Sequence, residues 1–305
     1  MEIVPTGAGG PELDLILQDY RRRYHLSETV VLNALFDALA TRRASGLVAL
    51  ESGRAVGAVV LSRRGEEGQI RLLHALGEAP TAEAALLAQA EELLRQGGAQ
   101  RVTGSLPLAT TDRLVDILRQ HGYQVISRSR MVLDLAAVAV LEPPPLPWGY
   151  GLTPWQEAQE ESAVALLDEA HRDSADSALY PEMAGLEGAR KLLQNVESSH
   201  YGRFAPELAR MVWYGESLAG LALNVWHAAL PGQGFILDLA VAAAHRRQGL
   251  GRALVLATAR AFQEAGADVL SLAVTLDNRP AVELYAGLGF QVEQHFSVLQ
   301  KDISV

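Results

Sequence analysis

The chain has 305 residues, and 26 Lys and Arg against 36 Asp and Glu give a formal net charge of −10 at pH 7, which argues against a nucleic-acid surface. It has no cysteine, which excludes disulfides, thiolate metal sites and a cysteine nucleophile within this sequence. Because there is no H-x-x-x-H or H-E-x-x-H pattern, no signal peptide and no apolar run of about 18 residues, we expect a soluble, cytoplasmic protein with no metal and no membrane partner.

The first half of the sequence alternates between patterns typical of helices and of strands. Short apolar runs bounded by Gly, Ser and Asn predict strands, and longer runs with helical spacing predict helices. The predicted elements are a strand at Glu2 to Pro5, helices at Pro11 to Tyr24 and Ser27 to Ala40, a hairpin of Gly46 to Glu51 and Ala55 to Ser62, a strand at Gln69 to Leu76, a helix at Thr81 to Arg95, a strand at Arg101 to Leu106, a helix at Thr111 to Gln120, and strands at Tyr123 to Ile126 and Met131 to Leu135.

A proline-rich segment, LEPPPLPWGYG from Leu141 to Gly151, predicts a stiff connector. We therefore place a boundary at residues 141–149, between a first domain of residues 1–140 and a second of residues 150–305. The second half predicts a strand at Tyr150 to Pro154, a helix at Glu157 to His171, a polar stretch at Arg172 to Glu182, a helix at Leu186 to Ser198, a hairpin of Arg210 to Tyr214 and Leu218 to Trp226, and a strand at Phe235 to Val241.

A glycine-rich turn follows that last strand, and a helix begins after it. The turn reads Arg246-Arg247-Gln248-Gly249-Leu250-Gly251-Arg252. Gly249 and Gly251 allow the backbone to approach a ligand, and the first N–H groups of a helix lie at the positive end of its dipole. The pattern favours an anion, with diphosphate as the obvious candidate. A tight connection without a ligand is the alternative, because R-x-x-G-x-G is short enough to arise by chance.

A second motif follows in the segment VTLDNRPAVELYAGLGFQV from Val274 to Val292. Its residues Asn278, Ala281, Leu284, Tyr285, Gly289 and Phe290 keep the spacing N-x-x-A-x-x-L-Y-x-x-x-G-F. Together with the strand Leu239-Ala240-Val241 and the Arg246 to Gly251 loop, this segment resembles the GNAT superfamily of N-acetyltransferases. The resemblance covers roughly Gly151 to Val305.

The resemblance implies acetyl-CoA as co-substrate, without a metal. The residues that it assigns to CoA binding are Leu239, Ala240, Val241, Arg246, Arg247, Gln248, Gly249, Leu250, Gly251, Arg252, Asn278 and Tyr285. It also implies that Tyr285 lies near the CoA sulfur and protonates the leaving thiolate. The alternative for Tyr285 is a packed aromatic side chain.

The first half repeats the order of elements and turns of the second, at an offset of about 167 residues. GGAQRV near Gln100 corresponds to AGADVL near Asp268, and RQHGYQV to AGLGFQV. We infer a duplication and an α+β fold of two tandem GNAT-like domains, each with a mixed, largely antiparallel twisted sheet flanked by helices. That offset aligns Ala79, Ala82, Ala84, Thr111 and Leu118 with Arg246, Gly249, Gly251, Asn278 and Tyr285. We therefore expect one CoA per chain, bound by the second half.

Asp238 is the one acidic residue in an otherwise apolar strand. Because a lone buried carboxylate is costly, Asp238 needs either a partner or a function. The functional hypothesis is a general base that takes a proton from the substrate ammonium, directly or through water. Strand alternation puts it on the face opposite Leu237 and Leu239. His227 is an alternative base, and Asp173, Asp176 and Glu182 are candidates for holding a cationic substrate.

These patterns favour an acyl-CoA-dependent N-acyltransferase that transfers acetyl from acetyl-CoA to a primary amine by direct attack. The acceptor is a small-molecule amine or a protein N-terminus. The split between a degenerate first half and an intact second half resembles that of mycothiol synthase and its tandem-domain relatives. The competing hypothesis is an acyl-CoA-binding regulatory protein without catalysis. The sequence does not determine the oligomeric state.

Overall fold

The structure is a computed structural model that describes residues 1–7, 10–24, 31–77, 80–109, 111–136, 145–156, 159–172 and 184–304. Packing divides the chain into two compact units, Met1–Ser127 with His295–Val305, and Arg128–Gln294. The described helices are α1 Pro11–Tyr24, α2 Val31–Ala40, α3 Pro80–Gln96, α4 Arg113–Gln120, α5 Glu160–His171, α6 Gly185–Glu197, α7 Leu250–Glu264 and α8 Arg279–Gly287. The strands are β1 Glu2–Thr6, β2 Ala44–Glu51, β3 Arg54–Arg64, β4 Glu67–Ala75, β5 Arg101–Leu106, β6 Gln124–Asp134, β7 Tyr150–Pro154, β8 Gly202–Phe204, β9 Arg210–Tyr214, β10 Ser217–His227, β11 Gln233–Val241, β12 Val269–Thr275 and β13 Gln291–Asp302.

The first unit is a mixed sheet in the order β1-β2-β3-β4-β5-β13. All neighbouring strands are antiparallel except β4 and β5, which are parallel. Apolar side chains of α3 and α4 pack on one face of the sheet, and those of α1 and α2 pack on the other. The sheet is therefore buried on both sides, as its continuous apolar strands predict.

The second unit has the same kind of sheet, in the order β6-β12-β11-β10-β9-β7, with β8 also paired to β10. Here β11 and β12 are the parallel pair, and the other pairs are antiparallel. Helices α5 and α6 cover one face of the sheet, while α7 and α8 cover the other. The two units therefore share one architecture, which confirms the predicted fold class.

The last strand of each half pairs with a strand of the opposite half. Residues Ser297–Asp302 of β13 pair with β5, and residues Arg128–Asp134 of β6 pair with β12. The two packing units therefore do not divide at residues 141–149. Residues 128–134 lie in the second unit, and residues 295–305 lie in the first. We propose that the duplicated sequence segments are still residues 1–140 and 150–305, and that they have exchanged their last strands.

Most predicted elements are present, with described ends that shift by up to two residues. One prediction was wrong: the two strands expected at Tyr123 to Ile126 and Met131 to Leu135 are a single strand, β6. The polar residues between the two predicted strands belong to the same strand, and their side chains have partners there, such as Arg128 with the Ala273 carbonyl oxygen. The predicted start of α2 at Ser27 and the predicted start of α5 at Glu157 lie outside the described residues.

Both parallel strand pairs are short, and the strands separate after them. The β11–β12 ladder joins four residue pairs and ends at Ile236 and Leu272, although both strands continue. The β4–β5 ladder also joins four pairs and ends at Ile70 and Gly104. Each unit therefore has an opening in its sheet, in which strand backbone groups lack a neighbouring strand.

Candidate active site

A cleft occupies the opening between β11 and β12. Its lining residues come from both strands, from the neighbouring strand β6 and from the helices beside them: Arg128, Ala170, His171, Ile236, Leu237, Asp238, Leu239, Leu272, Ala273, Val274, Thr275, Asn278, Ala281 and Tyr285. Asp238, Leu239, Asn278 and Tyr285 were predicted as site residues, and the fold brings these four together. A mixed lining of apolar side chains with a few polar groups is typical of a ligand site.

A bulge in β11 determines where Asp238 points. Leu223 pairs with Asp238 and Asn224 pairs with Ile236, so Leu237 is the extra residue. Leu237 therefore packs with the α5 and α6 side chains, whereas Leu239 packs with those of α7. The predicted alternation, with Leu237 and Leu239 on one face, was wrong because a bulge breaks the period of two.

Asp238 has a partner that the sequence did not indicate. His171, the last residue of α5, places Nε2 2.6 Å from Asp238 Oδ2. Because an ionised carboxylate can only accept hydrogen bonds, His171 Nε2 carries the hydrogen in this pair. The Asp238 side chain is 12% exposed and the His171 side chain 28% exposed, so the imidazole is the more accessible member.

Tyr285 lies deep in the same cleft. It is 6% exposed, and its ring packs against Phe290 with centroids 5.6 Å apart. Burial raises the pKa of Tyr285, and the negative charge of Asp238 raises it further. The phenol therefore keeps its proton at neutral pH, as a general acid requires before it acts.

Asn278 is exposed at the start of α8, where it caps the helix. Its Oδ1 accepts a hydrogen bond from the Ala281 backbone N–H at 3.3 Å. The cap fixes the direction of the helix that carries Tyr285. Asn278 therefore has a structural role in addition to its position in the cleft.

The glycine-rich loop has the geometry of a helix entrance. After a 3-10 turn at Ala243–His245, Arg247 and Gly249 take left-handed φ values of 63° and 82°, and Gly249 is the N-cap of α7. Arg246 and Arg247 are exposed, and Arg252 lies in the first turn of α7. Cations near the positive end of a helix dipole are unfavourable, so this cluster is best explained by an anion that binds there.

Side chains from two other elements brace this loop. The Tyr150 hydroxyl lies 2.7 Å from His245 Nδ1 and donates to Gln248 Oε1 at 3.0 Å. Glu169 Oε1 accepts from the Ala243 backbone N–H at 2.7 Å. The loop is therefore held at its beginning and in its middle, although most of its side chains are exposed.

The other predicted CoA-binding residues surround the loop. Leu250 is buried in the core under α7, and Ala240 is buried toward α5 and α6, so neither side chain is accessible to a ligand. The Val241 carbonyl oxygen accepts from Arg246 Nε at 3.0 Å. Gly251 leaves room beside Leu284, which an added Cβ would approach to 3.3 Å.

The alternative base and the weaker candidates are not in the cleft as described. His227 is not among its lining residues, and its Nδ1 accepts from the Ala229 backbone N–H at 3.1 Å. Burial lowers the pKa of His227. Asp173, Asp176 and Glu182 lie outside the described residues.

The first half lacks this chemistry at the matching positions. Val60 pairs with Leu72 beside the bulge in β4, so Leu72 stands where Asp238 stands in β11. The N-cap of α4 is Asp112 rather than Thr111, and Leu118 is fully buried in that helix. A carboxylic acid and a phenol are therefore replaced by leucines.

The loop of the first half is also shorter. In the first half β4 ends at Ala75 and α3 begins at Pro80, whereas in the second half β11 ends at Val241 and α7 begins only at Leu250. The constant offset that aligned Ala82 and Ala84 with the two glycines therefore fails, because α3 has already begun at Pro80. The conclusion that this half lacks the R-x-x-G-x-G loop does not depend on that alignment.

Comparisons with known proteins agree with this division. Residues 166–290 match the model of the acetyltransferase (GNAT) family. The chain is 30% identical over 178 residues to a mycothiol acetyltransferase of Pseudarthrobacter chlorophenolicus, covering 57% of this chain and 53% of that protein. It is 36% identical over 86 residues to a mycothiol acetyltransferase of Corynebacterium aurimucosum, covering 28% of each. The matches therefore span about half and about a quarter of these curated relatives.

Two solved structures share the fold over almost the whole chain. A GCN5-related N-acetyltransferase from Sphaerobacter thermophilus has a TM-score of 0.66 at 19% identity, covering 99% of this chain and 96% of that one. A tandem GNAT protein from the clavulanic acid biosynthesis pathway has a TM-score of 0.53 at 17% identity, covering 99% and 98%.

Residues 166–290 of this chain are therefore similar to the GNAT family, and the whole chain shares the fold of these two solved structures. Across the described ranges, no helix is long and apolar enough to cross a membrane. The part of the chain that the structure describes also holds no group of three His, Cys, Asp or Glu side chains placed to bind a metal.

Proposed function

We propose that this protein is an N-acetyltransferase that uses acetyl-CoA and that its second half carries the active site. The observation that carries the proposal is one cleft that contains a protonated phenol, Tyr285, and a carboxylate, Asp238, close to an arginine-rich helix entrance. Acid and base groups of this kind are what amide formation from an ammonium and a thioester requires.

The loop residues fit the diphosphate of CoA. The first N–H groups of α7 have no partner inside the helix, Gly249 and Gly251 carry no side chain that would obstruct them, and three arginines surround them. Leu239, Ala240 and Val241 would offer backbone groups to the pantetheine arm in the opening of the sheet. Asn278 and Tyr285 would meet the same arm near its sulfur.

The reaction would be a direct attack. This chain has no cysteine, so no cysteine of this chain can carry an acyl intermediate. Asp238 would take part in removing a proton from the acceptor ammonium, and Tyr285 would give a proton to the departing thiolate. We propose a small-molecule amine as acceptor, as in the relatives named mycothiol acetyltransferase, and a protein N-terminus is the alternative.

Replacing Tyr285 with Phe separates this function from that of a regulatory protein that only binds acyl-CoA. The change removes one oxygen atom from a buried ring, so CoA affinity should stay nearly constant. Turnover should fall by about 10²-fold to 10⁴-fold, the usual contribution of a general acid. Release of CoA thiol with a panel of amines and calorimetric titration with CoA measure the two effects.

The same change at Tyr201, outside the cleft, is the matched control. Tight binding of acetyl-CoA without thiol release by the unaltered protein, over the whole panel, would support the regulatory protein instead. Calorimetry also gives the number of sites, for which we expect one CoA per chain. Two CoA equivalents per chain would contradict the assignment of the site to the second half alone.

A further inference from the structure

The His171–Asp238 pair is the feature of the cleft that the two sequence motifs leave unexplained. We propose that the two residues act as one proton-accepting unit, in which the imidazole of His171 receives the proton that the acceptor ammonium loses. The inference rests on the proposed acetyl transfer. It adds His171, which the sequence did not indicate, to the groups that act on the substrate.

The hydrogen bond between the two side chains fixes their roles. With its hydrogen on Nε2 directed at Asp238 Oδ2 at 2.6 Å, the neutral ring keeps its lone pair on Nδ1. A carboxylate beside an imidazole favours the protonated ring. Asp238 would therefore orient His171 and stabilise the imidazolium that forms.

The position of His171 on its helix favours the same role. His171 is the last residue of α5, where the negative end of the helix dipole stabilises a cation. Two independent features of the fold, a carboxylate and a helix C-terminus, therefore stabilise positive charge on one ring. The second feature does not depend on Asp238.

Exposure decides which member of the pair meets the substrate. The His171 side chain is more than twice as exposed as that of Asp238, at 28% against 12%, and both line the cleft. Among the described residues, the other ionisable groups that line the cleft are Tyr285 of α8 and Arg128 of β6, while the adjacent Arg172 is bound to Asp168 at 2.7 Å. A protonated His171 ring would therefore lie near the Asp238 carboxylate, the neutral Tyr285 phenol and the Arg128 guanidinium.

The protons balance as follows. The acceptor ammonium gives one proton to His171, and the free amine then forms the N–C bond with the thioester carbonyl carbon as the C–S bond breaks. Tyr285 gives its phenolic proton to the thiolate and regains one from the nitrogen of the new amide. The third proton stays on that nitrogen, and His171 releases its proton to solvent. The products are the amide, the CoA thiol and one proton.

A structural tether between α5 and β11 would explain the same hydrogen bond, so the test must separate the two roles. The variant His171→Gln keeps an N–H donor for Asp238 but cannot be protonated near neutral pH. We expect kcat at pH 7 to fall by about 10²-fold to 10³-fold, with KM for acetyl-CoA and the melting temperature unchanged. The rise of the wild-type rate with pH through the histidine range should disappear.

The matched control is His227→Gln, the same change at the histidine outside the cleft, which should leave both the rate and its pH dependence unaltered. An H171Q protein with the wild-type rate and pH profile would overturn the inference. A lower rate with the wild-type pH dependence would also overturn it, because that result indicates a tether.

A second measurement does not depend on activity or on the folding of H171Q. Imidazole ¹⁵N signals of the full-length protein, recorded from pH 5 to pH 9 for the wild type and for Asp238→Asn, should show one ring whose titration moves to lower pH in the variant. If no ring responds, the pair is not a proton acceptor. If the ring responds but no amine is acetylated by the wild type, the proposed function fails and the coupling of the pair stands.

Discussion

The two units of this chain use the same scaffold, but they carry different side chains at the opening of the sheet. Each has a four-residue parallel ladder, a bulge in the strand before the opening and a capped helix beside it. In the second unit the positions around the opening hold Asp238 and Tyr285, and in the first they hold Leu72 and Leu118, which are buried in apolar clusters. The opening of the sheet is therefore a property of the fold, whereas the ability to act on a ligand depends on a few side chains and a longer loop.

Both units also contain a histidine paired with an aspartate between the first helix and the strand before the opening. In the first unit the strand carries the histidine and the helix carries the acid, with His74 Nε2 2.9 Å from Asp19 Oδ2. His74 is 1% exposed beneath Tyr20 and Tyr24, whereas His171 lines the cleft. We therefore interpret the buried His74–Asp19 pair as part of the packing. The accessible His171–Asp238 pair is the candidate for catalysis.

The largest effect should follow from removing the exchanged strand. A chain that ends at Gln294 loses the six residues that pair with β5, the buried side chains Leu299 and Ile303, and the ion pair of Lys301 with Glu91. A single large-to-small change in a core costs about 2–5 kcal/mol, so the loss of two buried residues and a strand should unfold the first unit. Calorimetric melting and hydrogen exchange of β5 amides measure the unfolding of the first unit.

A chain that ends at Ile303 is the control for this truncation, because it keeps the whole of β13. If the β5 amides of the chain that ends at Gln294 are protected from hydrogen exchange as in the wild type, β13 is not needed for the fold of the first unit. The result also bears on dividing the protein at residues 141–149, since a fragment of residues 1–140 lacks the same strand.

A substitution in the glycine-rich loop, which only the second unit has, should weaken CoA binding without lowering the melting temperature. Gly251→Ala adds a methyl group to the first turn of α7, where only Leu284 lies within 4 Å. Ala favours a helix over Gly by about 1 kcal/mol, so the melting temperature should hold or rise while CoA affinity falls about tenfold through obstruction of the helix N–H groups. Calorimetric titration and a melting curve separate the two effects.

The same change at Gly287, where an added Cβ also meets little, serves as the control inside a helix. Wild-type CoA affinity in a folded Gly251→Ala protein would remove the loop from the binding site. Gly249 is less suitable for this test, because its φ of 82° strains any other residue and so confounds affinity with folding.

The buried His74–Asp19 pair of the first unit should make the free energy of unfolding depend on pH. Desolvation lowers the pKa of His74 despite the nearby Asp19. The folded state therefore binds fewer protons than the unfolded state, so stability is complete above a pH of about 6.5, the unfolded pKa, and falls as the pH is lowered. The slope for one group is at most about 1.4 kcal/mol per pH unit.

Melting temperatures between pH 5 and pH 8 for the wild type and for His74→Gln measure this contribution as a difference in slope, with His121→Gln as the control. His227 also has a pKa lowered by burial and titrates in the same direction, which the difference removes. Equal slopes for the wild type and H74Q would show that the pair does not titrate as the burial indicates.

The smallest effect should come from removing the hydrogen bonds of Tyr150 to the glycine-rich loop. Tyr150→Phe removes the hydroxyl that binds His245 and Gln248, while the ring still packs against Tyr214 at 4.9 Å. A hydrogen bond contributes about 1 kcal/mol, so CoA should bind about fivefold more weakly through a less ordered loop. The matched change Tyr214→Phe should have a smaller effect in the same titration, and equal losses would argue against the brace.

The sequence by itself indicated the resemblance to the GNAT family, the order of elements and the position of the loop. Arg246 to Gly251 and Asn278 to Phe290 act through backbone geometry and helix capping, which depend on neighbouring residues. It also predicted that the first half lacks this site, because Leu118, which aligns with Tyr285, cannot donate a proton.

Only the tertiary structure decided which strands pair and what Asp238 contacts. The two halves offer equivalent last strands, and a local pattern does not specify with which copy a strand pairs, so the pairing of β6 with β12 and of β13 with β5 is invisible in the sequence. His171 lies 67 positions before Asp238 in the chain. No spacing rule joins residues so far apart, because their distance depends on how α5 packs on the sheet and on the bulge that turns Asp238 toward it.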